Sequence, residues 1–395
     1  MPGTNGSSAS LPAREPVLRA LVDICGPDFA RSARSVDTVA GARASFVAVP
    51  ATTTSVEDTI RVAAERGLAT VVRGSGSKID WGTPPPGVDL IIDTGRLGGL
   101  WDHQESTAEV GTGTPIRALQ AALALRGQRL AADPPSHTAT VGGMLSVNES
   151  GPLRHRFGTP ADQVDHINYV DATGRIGESS GAQGQPGIAD ISGVIMSAGL
   201  RLQPLPAARR WVSIPVSTPL QVHNLVEEAM AQGLEPSAVE VDLPALTGGR
   251  TTEQPPGTLS TLLEGNRSET EAHAEQLAKA LGVGATVSNL APNWWGRYPF
   301  RARDVALRIS VQIEDLHAAV YALRDALGTV VPVRGSAGVG TVHAVLPGTL
   351  PPDRIEAIVD AVRNVLMARS GRAVIISAPP EVARQVDMAG RRDLF

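Results

Sequence analysis

Two glycine-rich segments about sixty residues apart constrain this chain most. The first is Arg73-Gly74-Ser75-Gly76-Ser77-Lys78, and the second is Thr140-Val141-Gly142-Gly143, running on to Asn148-Glu149-Ser150-Gly151. Glycine lacks a Cβ, so its backbone can adopt positive φ and approach a ligand closely. Alternating glycine and serine can form a nest whose successive amides point at an anion. Taken together, the segments read as two backbone cradles for one diphosphate. The first is no Walker loop, because the spacing before Gly-Lys and the Ser or Thr after Lys are absent, and it lacks the Gly-x-Gly-x-x-Gly fingerprint. Each segment alone also reads as a purely structural element: a tight turn after a strand, or a helix turn with packing glycines.

The surrounding pattern places the cradles. A strand at Phe46–Val49 precedes a helix with Ser55 as N-cap, Asp58 at the reciprocal capping position, and Ile60, Ala63 and Ala64 on one face. Gly67 ends it, and the strand Ala69–Val72 leads into the first cradle. Thr114 caps a second helix, with Pro115 at its first position, Ile116, Leu119 and Leu123 as its stripe and Gly127 beyond its end. A short helix starts over Met144–Val147. Strands His166–Asp171 and Ile195–Leu202 close the unit near Pro204-Leu205-Pro206.

The remaining half repeats itself. Strands at Trp211–Val216, Ala238–Val241 and Thr258–Leu263 alternate with helices at Thr218–Gln232 and Ser268–Leu281. The order recurs in strand Val305–Val311, helix Glu314–Leu327, strands Thr329–Val333 and Thr341–Leu346, helix Pro352–Arg369 and strand Ala373–Ser377. This predicts an α+β chain whose second part carries tandem ferredoxin-like repeats, with helices on one face of an antiparallel sheet. At 395 residues there is room for two cores. The expected division is 1–40 as tail and lead-in, with residues 1–15 disordered, 41–207 as the cradle domain and 208–395 as a second domain.

Composition excludes several classes. A net charge of −5 leaves no basic footprint for nucleic acid. The single cysteine, Cys25, excludes an internal disulfide framework and a cysteine-based metal or iron–sulfur site, and reads as a small buried hydrophobe. No apolar run reaches membrane-spanning length and the N-terminus has no signal-peptide pattern, so the cytoplasm is the expected location.

Order and spacing give the chain a recognisable likeness. Val72–Gly82, Asp133-Pro134-Pro135 before the Thr140–Gly143 turn, Asn148–Pro152, Arg156-Phe157-Gly158 and Arg334–Gly340 together resemble the vanillyl-alcohol oxidase and para-cresol methylhydroxylase superfamily of FAD-binding proteins. Within it they are most similar to the FAD-binding subunits of bacterial glycolate oxidases. The resemblance implies a two-part FAD-binding domain followed by a cap over the flavin. It implies non-covalent FAD held by Arg73, Gly74, Ser75, Gly76, Ser77, Lys78, Pro134, Thr140, Val141, Gly142, Gly143, Asn148, Ser150, Gly151, Gly158, Val194 and Ile195. Lys78 and the loop residue His137 are not placed for a histidyl link.

Three departures from the family pattern stand out. After Ser180 the chain runs through Gly181–Gly187, where relatives carry a longer flavin-facing segment, and only Gly193-Val194-Ile195 remains recognisable. Glu149 replaces a small residue, and a carboxylate there must point to solvent or meet an arginine such as Arg154 or Arg156. Gly338–His343 resembles a degraded form of the Gly-Asp-Gly-Asn-x-His strand of catalytic 2-hydroxy-acid dehydrogenases, with Val339 and Thr341 in place of the acidic and amide residues and only His343 kept; the chain also ends at Phe395 without the expected tail.

Two functions follow from the resemblance. One is an FAD-binding subunit of a 2-hydroxy-acid oxidoreductase of glycolate or lactate type, with hydride passing from the α-carbon to flavin N5. His343 is its candidate base, and Arg308 and Arg334 are candidate carboxylate clamps. Each also has a bland reading, as a core histidine or an exposed arginine. The alternative is a non-catalytic scaffold with weak or lost FAD binding. In both, the implied partners are a homologous FAD-linked catalytic subunit and an iron–sulfur subunit, which would also bring the chain to the inner face of the membrane.

Overall fold

The computed structural model describes residues 14–180, 188–245 and 257–390. Residues 1–13 of the expected tail, the Gly181–Gly187 segment and Phe395 lie outside the described residues. The lead-in is not all tail, because a helix, Arg14–Cys25, opens the described chain. Its signal is the four-residue spacing of Val17, Leu21 and Cys25, which puts all three on one buried face. The Cys25 thiol is buried near Thr59, and burial raises its pKa.

This helix and Thr53–Glu65 pack on a four-stranded sheet in the order Ala30–Ser32, Phe46–Ala48, Leu90–Asp93, Thr70–Arg73. The last three strands are parallel. The N-cap of Thr53–Glu65 is Thr52 rather than Ser55, because Thr52 holds the extended backbone and exchanges capping bonds with Ser55, which is already helical. Asp58 instead pairs with Arg61 at 2.6 Å.

A second, antiparallel sheet orders Ile176–Ser179, Val164–Asp171, Gly193–Arg201, Thr107–Thr112 and Gly98–His103. Helices Ile116–Ala124 and Val141–Val147 bury Ile116, Leu119, Leu123, Met144 and Leu145 against it. Pro115 rather than Thr114 is the N-cap of the first of these, and the Thr114 hydroxyl donates to the Gly111 carbonyl at 2.6 Å.

The rest of the chain builds one eight-stranded antiparallel sheet. Its order is Thr286–Ser288, Ala208–Val216, Gly257–Gly265, Ala238–Leu243, Val333–Ser336, Thr341–Leu346, Val305–Ser310, Arg372–Ser377. Two successive strand–helix–strand–strand–helix–strand runs therefore each adopt the order fourth, first, third, second, and meet along Ala238–Leu243 and Val333–Ser336. The strand expected at Thr329–Val333 starts only at Val333, after Pro332, which has no amide for a ladder bond. Helices Pro219–Ala231, Arg267–Leu281, Leu316–Leu327 and Pro352–Met367 cover one face and form the largest core. Strand alternation turns the other residues, including Glu240, Arg308 and His343, away from that core.

One buried ion pair ties the two halves at their seam. Arg129, on the strand Gln128–Arg129, meets Glu264 through two bonds of 2.8 and 2.7 Å, with side chains 7% and 3% exposed. Arg209 adds a third contact to Glu264 at 2.8 Å. Removing one partner of a buried pair costs about 3–5 kcal/mol. Arg129→Gln should therefore destabilise the protein by about 3 kcal/mol in denaturant unfolding, near the low end because Arg209 still faces Glu264.

Candidate functional site

The two glycine segments meet. An added Cβ on Gly74 would lie 2.2 Å from the Thr140 hydroxyl oxygen, and one on Gly142 would lie 2.9 Å from the Thr112 Cβ. Gly142 and Gly143 are not in a loop ahead of a helix but in the first turn of Val141–Val147, with the Thr140 hydroxyl capping the Gly143 amide. Gly76 takes a φ of +76°. Among the described residues, the amides of Ser75, Gly76, Ser77 and Lys78 donate to no protein acceptor. These amides border a cleft of about 150 Å³ lined by Arg73–Ile79, Thr112, Gly142, Gly143, Gly193 and Ile195.

The cleft is electrically balanced. Arg73 is committed to Asp93 at 2.8 Å and to Asp37 at 3.3 Å. Asp37 also takes Arg31 at 2.7 Å, and that guanidinium holds its carboxyl well below the usual range. Lys78 pairs with Glu149, so an anion in this cleft must rely on amides and hydroxyls rather than on a free cation.

Glu149 corrects the expectation of a solvent-facing or arginine-paired carboxylate. It is buried, and its partners are Lys78, the Ser136 hydroxyl at 2.8 Å and the Tyr298 hydroxyl at 2.8 Å. The reason is positional: the αL conformation of Asn148, φ +48°, ends the Val141–Val147 helix and turns the next side chain inward. Arg156 reaches Glu235 instead. Burial lowers the Lys78 pKa, while Glu149 opposes that shift. Tyr298 belongs to an aromatic cluster with Trp81, Phe300 and His343, with ring centroids 4.8–6.1 Å apart.

Beyond Lys78 and Val147 the cleft opens into a chamber of about 400 Å³ between the two halves. Trp81, Asn148, Ser150, Arg154, Tyr298, Arg308, His343 and Arg372 line it. The ladder explains the grouping, since His343 stands opposite both Arg308 and Arg334, and Arg308 stands opposite Val374, two residues from Arg372. The structure thus brings His343, Arg308 and Arg334 together. Arg334, however, is held by Asp242 at 2.8 Å, and its side chain is part-buried rather than exposed. His343 is partly exposed to the chamber; burial first and the Arg308 charge second push its pKa down to about 3.

Other expected residues have structural places. Pro134 and Val194 are buried away from both spaces, although Ile195 lines the cleft. A Cβ on Gly151 would meet the Asp133 carbonyl at 1.9 Å, so this residue serves close packing, and it lines neither the cleft nor the chamber. Gly158 ends the helix Arg154–Phe157 at φ +76° and lines neither space. The Arg334–Gly340 segment forms a hairpin whose Gly340 has no room for a side chain, with Val311 O at 1.9 Å from its added Cβ. Arg372 and Tyr298 were missed because nothing in their local sequence distinguishes them from ordinary surface or core positions, whereas Arg154 was expected only as a partner of Glu149 and Trp81 only within the Val72–Gly82 likeness.

Residues 44–180 match the FAD binding domain family. The chain is 28% identical over 213 residues to the D-lactate dehydrogenase of Archaeoglobus fulgidus, covering 50% of this chain and 47% of that protein. It is 33% identical over 107 residues to the glycolate oxidase subunit GlcE of Escherichia coli, 27% and 31% of the respective chains. The chain thus spans less than half the length of these relatives. Its fold is shared with alkyldihydroxyacetonephosphate synthase (TM-score 0.70, 15% identity, 93% and 83% covered). It is also shared with p-cresol methylhydroxylase (TM-score 0.66, 12% identity, 89% and 86% covered). The cofactor of this chain is FAD, and the glycine-built cleft with free amides fits its diphosphate. Gly142→Glu, which would drive a carboxylate into the cleft, should lower FAD affinity by at least about tenfold in a flavin fluorescence titration.

A pH dependence follows from the seam beside the chamber. Desolvation raises Asp133 to about 7, and desolvation together with the Asp133 charge raises Glu240 to about 8. Unfolded carboxyls release these protons near pH 4. The folded state therefore holds more protons between about pH 4 and pH 8, and stability declines as pH rises through that window. Glu240→Gln should flatten the decline in thermal unfolding measured between pH 5 and pH 8.

Proposed function

We propose that this chain is an FAD-dependent oxidoreductase subunit acting on 2-hydroxy acids. The observation that carries the reading is the chamber joined to the FAD cleft, where Arg308 stands beside His343 with no carboxylate partner among the described residues. FAD, when bound non-covalently, supplies an acceptor for the α-hydrogen as hydride. His137 is exposed and borders neither space, in keeping with a non-covalent cofactor.

The chain's own groups would divide the remaining work. Arg308 binds the substrate carboxylate through a planar, charge-assisted contact. His343 is neutral near pH 7, so a ring nitrogen is free to accept the hydroxyl proton. A carboxylate on Arg308 offsets the charge that depresses His343 and so raises its basicity just when substrate is present. The eight-stranded sheet with its two fourfold runs acts as a ferredoxin-like cap that supplies both residues, and we place its start at residue 208. Trp81, Tyr298 and Phe300 keep water from the chamber wall.

The likeness to a glycolate oxidase subunit supports an assembly with a homologous flavoprotein and an iron–sulfur subunit, the latter matching the lack of cysteine ligands beyond Cys25. Anaerobic addition of a 2-hydroxy acid to the FAD-loaded protein should bleach the flavin absorption. Arg308→Gln should raise the substrate concentration required at least about tenfold, and His343→Gln should slow bleaching about a hundredfold. If no 2-hydroxy acid bleaches the flavin, with or without the co-purified partners, the chain is a scaffold and the catalytic reading is wrong.

A further inference from the structure

The chamber holds more positive charge than one carboxylate requires. Besides Arg308, it is lined by Arg154 and Arg372, and no ion pair among the described residues engages any of the three. Among the described residues Glu149 is the one carboxylate in its wall, and Lys78 already balances it. Arg308 and Arg372 sit two residues apart in the ladder on the same sheet face, and Arg154 comes from the first half of the chain. Arg308 loses basicity through burial and through the charges of Arg372 and Arg154, so the three guanidiniums repel one another within one space. Arg308 and Arg372 are exposed to the chamber and Arg154 is half-buried, so an entering anion meets all three charges, and one carboxylate answers only one of them.

We propose that the substrate of this chamber carries two anionic groups: the 2-hydroxy carboxylate held by Arg308, and a second carboxylate or phosphate held by Arg372 and Arg154. The inference rests on the 2-hydroxy-acid reading above and narrows it, since a monoanion of glycolate or lactate size would leave two arginines unmatched. Guanidinium forks suit either anion, so the shared chemistry is a second oxyanion a few bonds from the reacting carbon.

Calorimetric titration of the FAD-loaded protein tests this, with glycolate, D-lactate, D-malate, D-2-hydroxyglutarate and 3-phosphoglycerate as separate probes. At least one dianion should bind about tenfold or more tightly than either monoanion, with the advantage shrinking as salt rises. A preference for the two dicarboxylates identifies a carboxylate as the second group, and a preference for 3-phosphoglycerate identifies a phosphate. Arg372→Gln should abolish the preference, while the unfolding temperature holds or rises because a repelling charge is gone. Equal or weaker dianion binding, or a preference that survives Arg372→Gln, overturns the proposal. The two readings fail separately: glycolate that bleaches the flavin and binds as well as any dianion defeats this inference alone, whereas tight dianion binding without bleaching defeats the oxidoreductase reading alone.

Discussion

The structure depends on one buried carboxylate. Glu149 gathers Lys78 from the first glycine segment, Ser136 from the loop ahead of the second, and Tyr298 from the far half of the chain. A buried charge is tolerated only when its lone pairs are satisfied, and here three separate regions must be in place to satisfy them. The same residue neutralises the lysine that would otherwise face the cleft. The node therefore shapes the cleft, balances its charge and fixes where the second half sits above it.

Charge divides the site into two compartments. In the cleft, Arg73 and Lys78 are both matched, so binding falls to amides. In the chamber, no ion pair among the described residues matches Arg154, Arg308 or Arg372. Fixed backbone dipoles thus face the cleft, and guanidiniums face the chamber. The first arrangement is insensitive to salt and the second is sensitive to it.

Much of the fold was legible in the sequence, because period and punctuation act locally. The helix–strand rhythm from Trp211 to Ser377 and the Gly74 and Gly142 cradles could be read directly. What escaped depends on position in space. The helix Arg14–Cys25 hid behind a polar tail and an early proline, and the Thr52 cap lay one turn before the residue that sequence favoured. The fate of Glu149 could not be read locally, since its partners lie 71, 13 and 149 residues away. His343 looked like a remnant on an apolar strand, yet the ladder sets it between Arg308 and Arg334, a juxtaposition invisible without strand order.

The edge-to-edge join of the two four-strand runs separates labour along the chain. The first run, through Glu264 and Glu240, carries the groups that meet Arg129 and lie beside Asp133, so it anchors the sheet to the FAD half. The second run carries Arg308, His343 and Arg372, which line the chamber, and Arg334 beside it. Four ladder pairs join the runs edge to edge, and their helices share one core. A substitution on the second run can therefore alter the lining of the chamber without touching the Arg129–Glu264 anchor, so the two ends of one sheet are free to change independently.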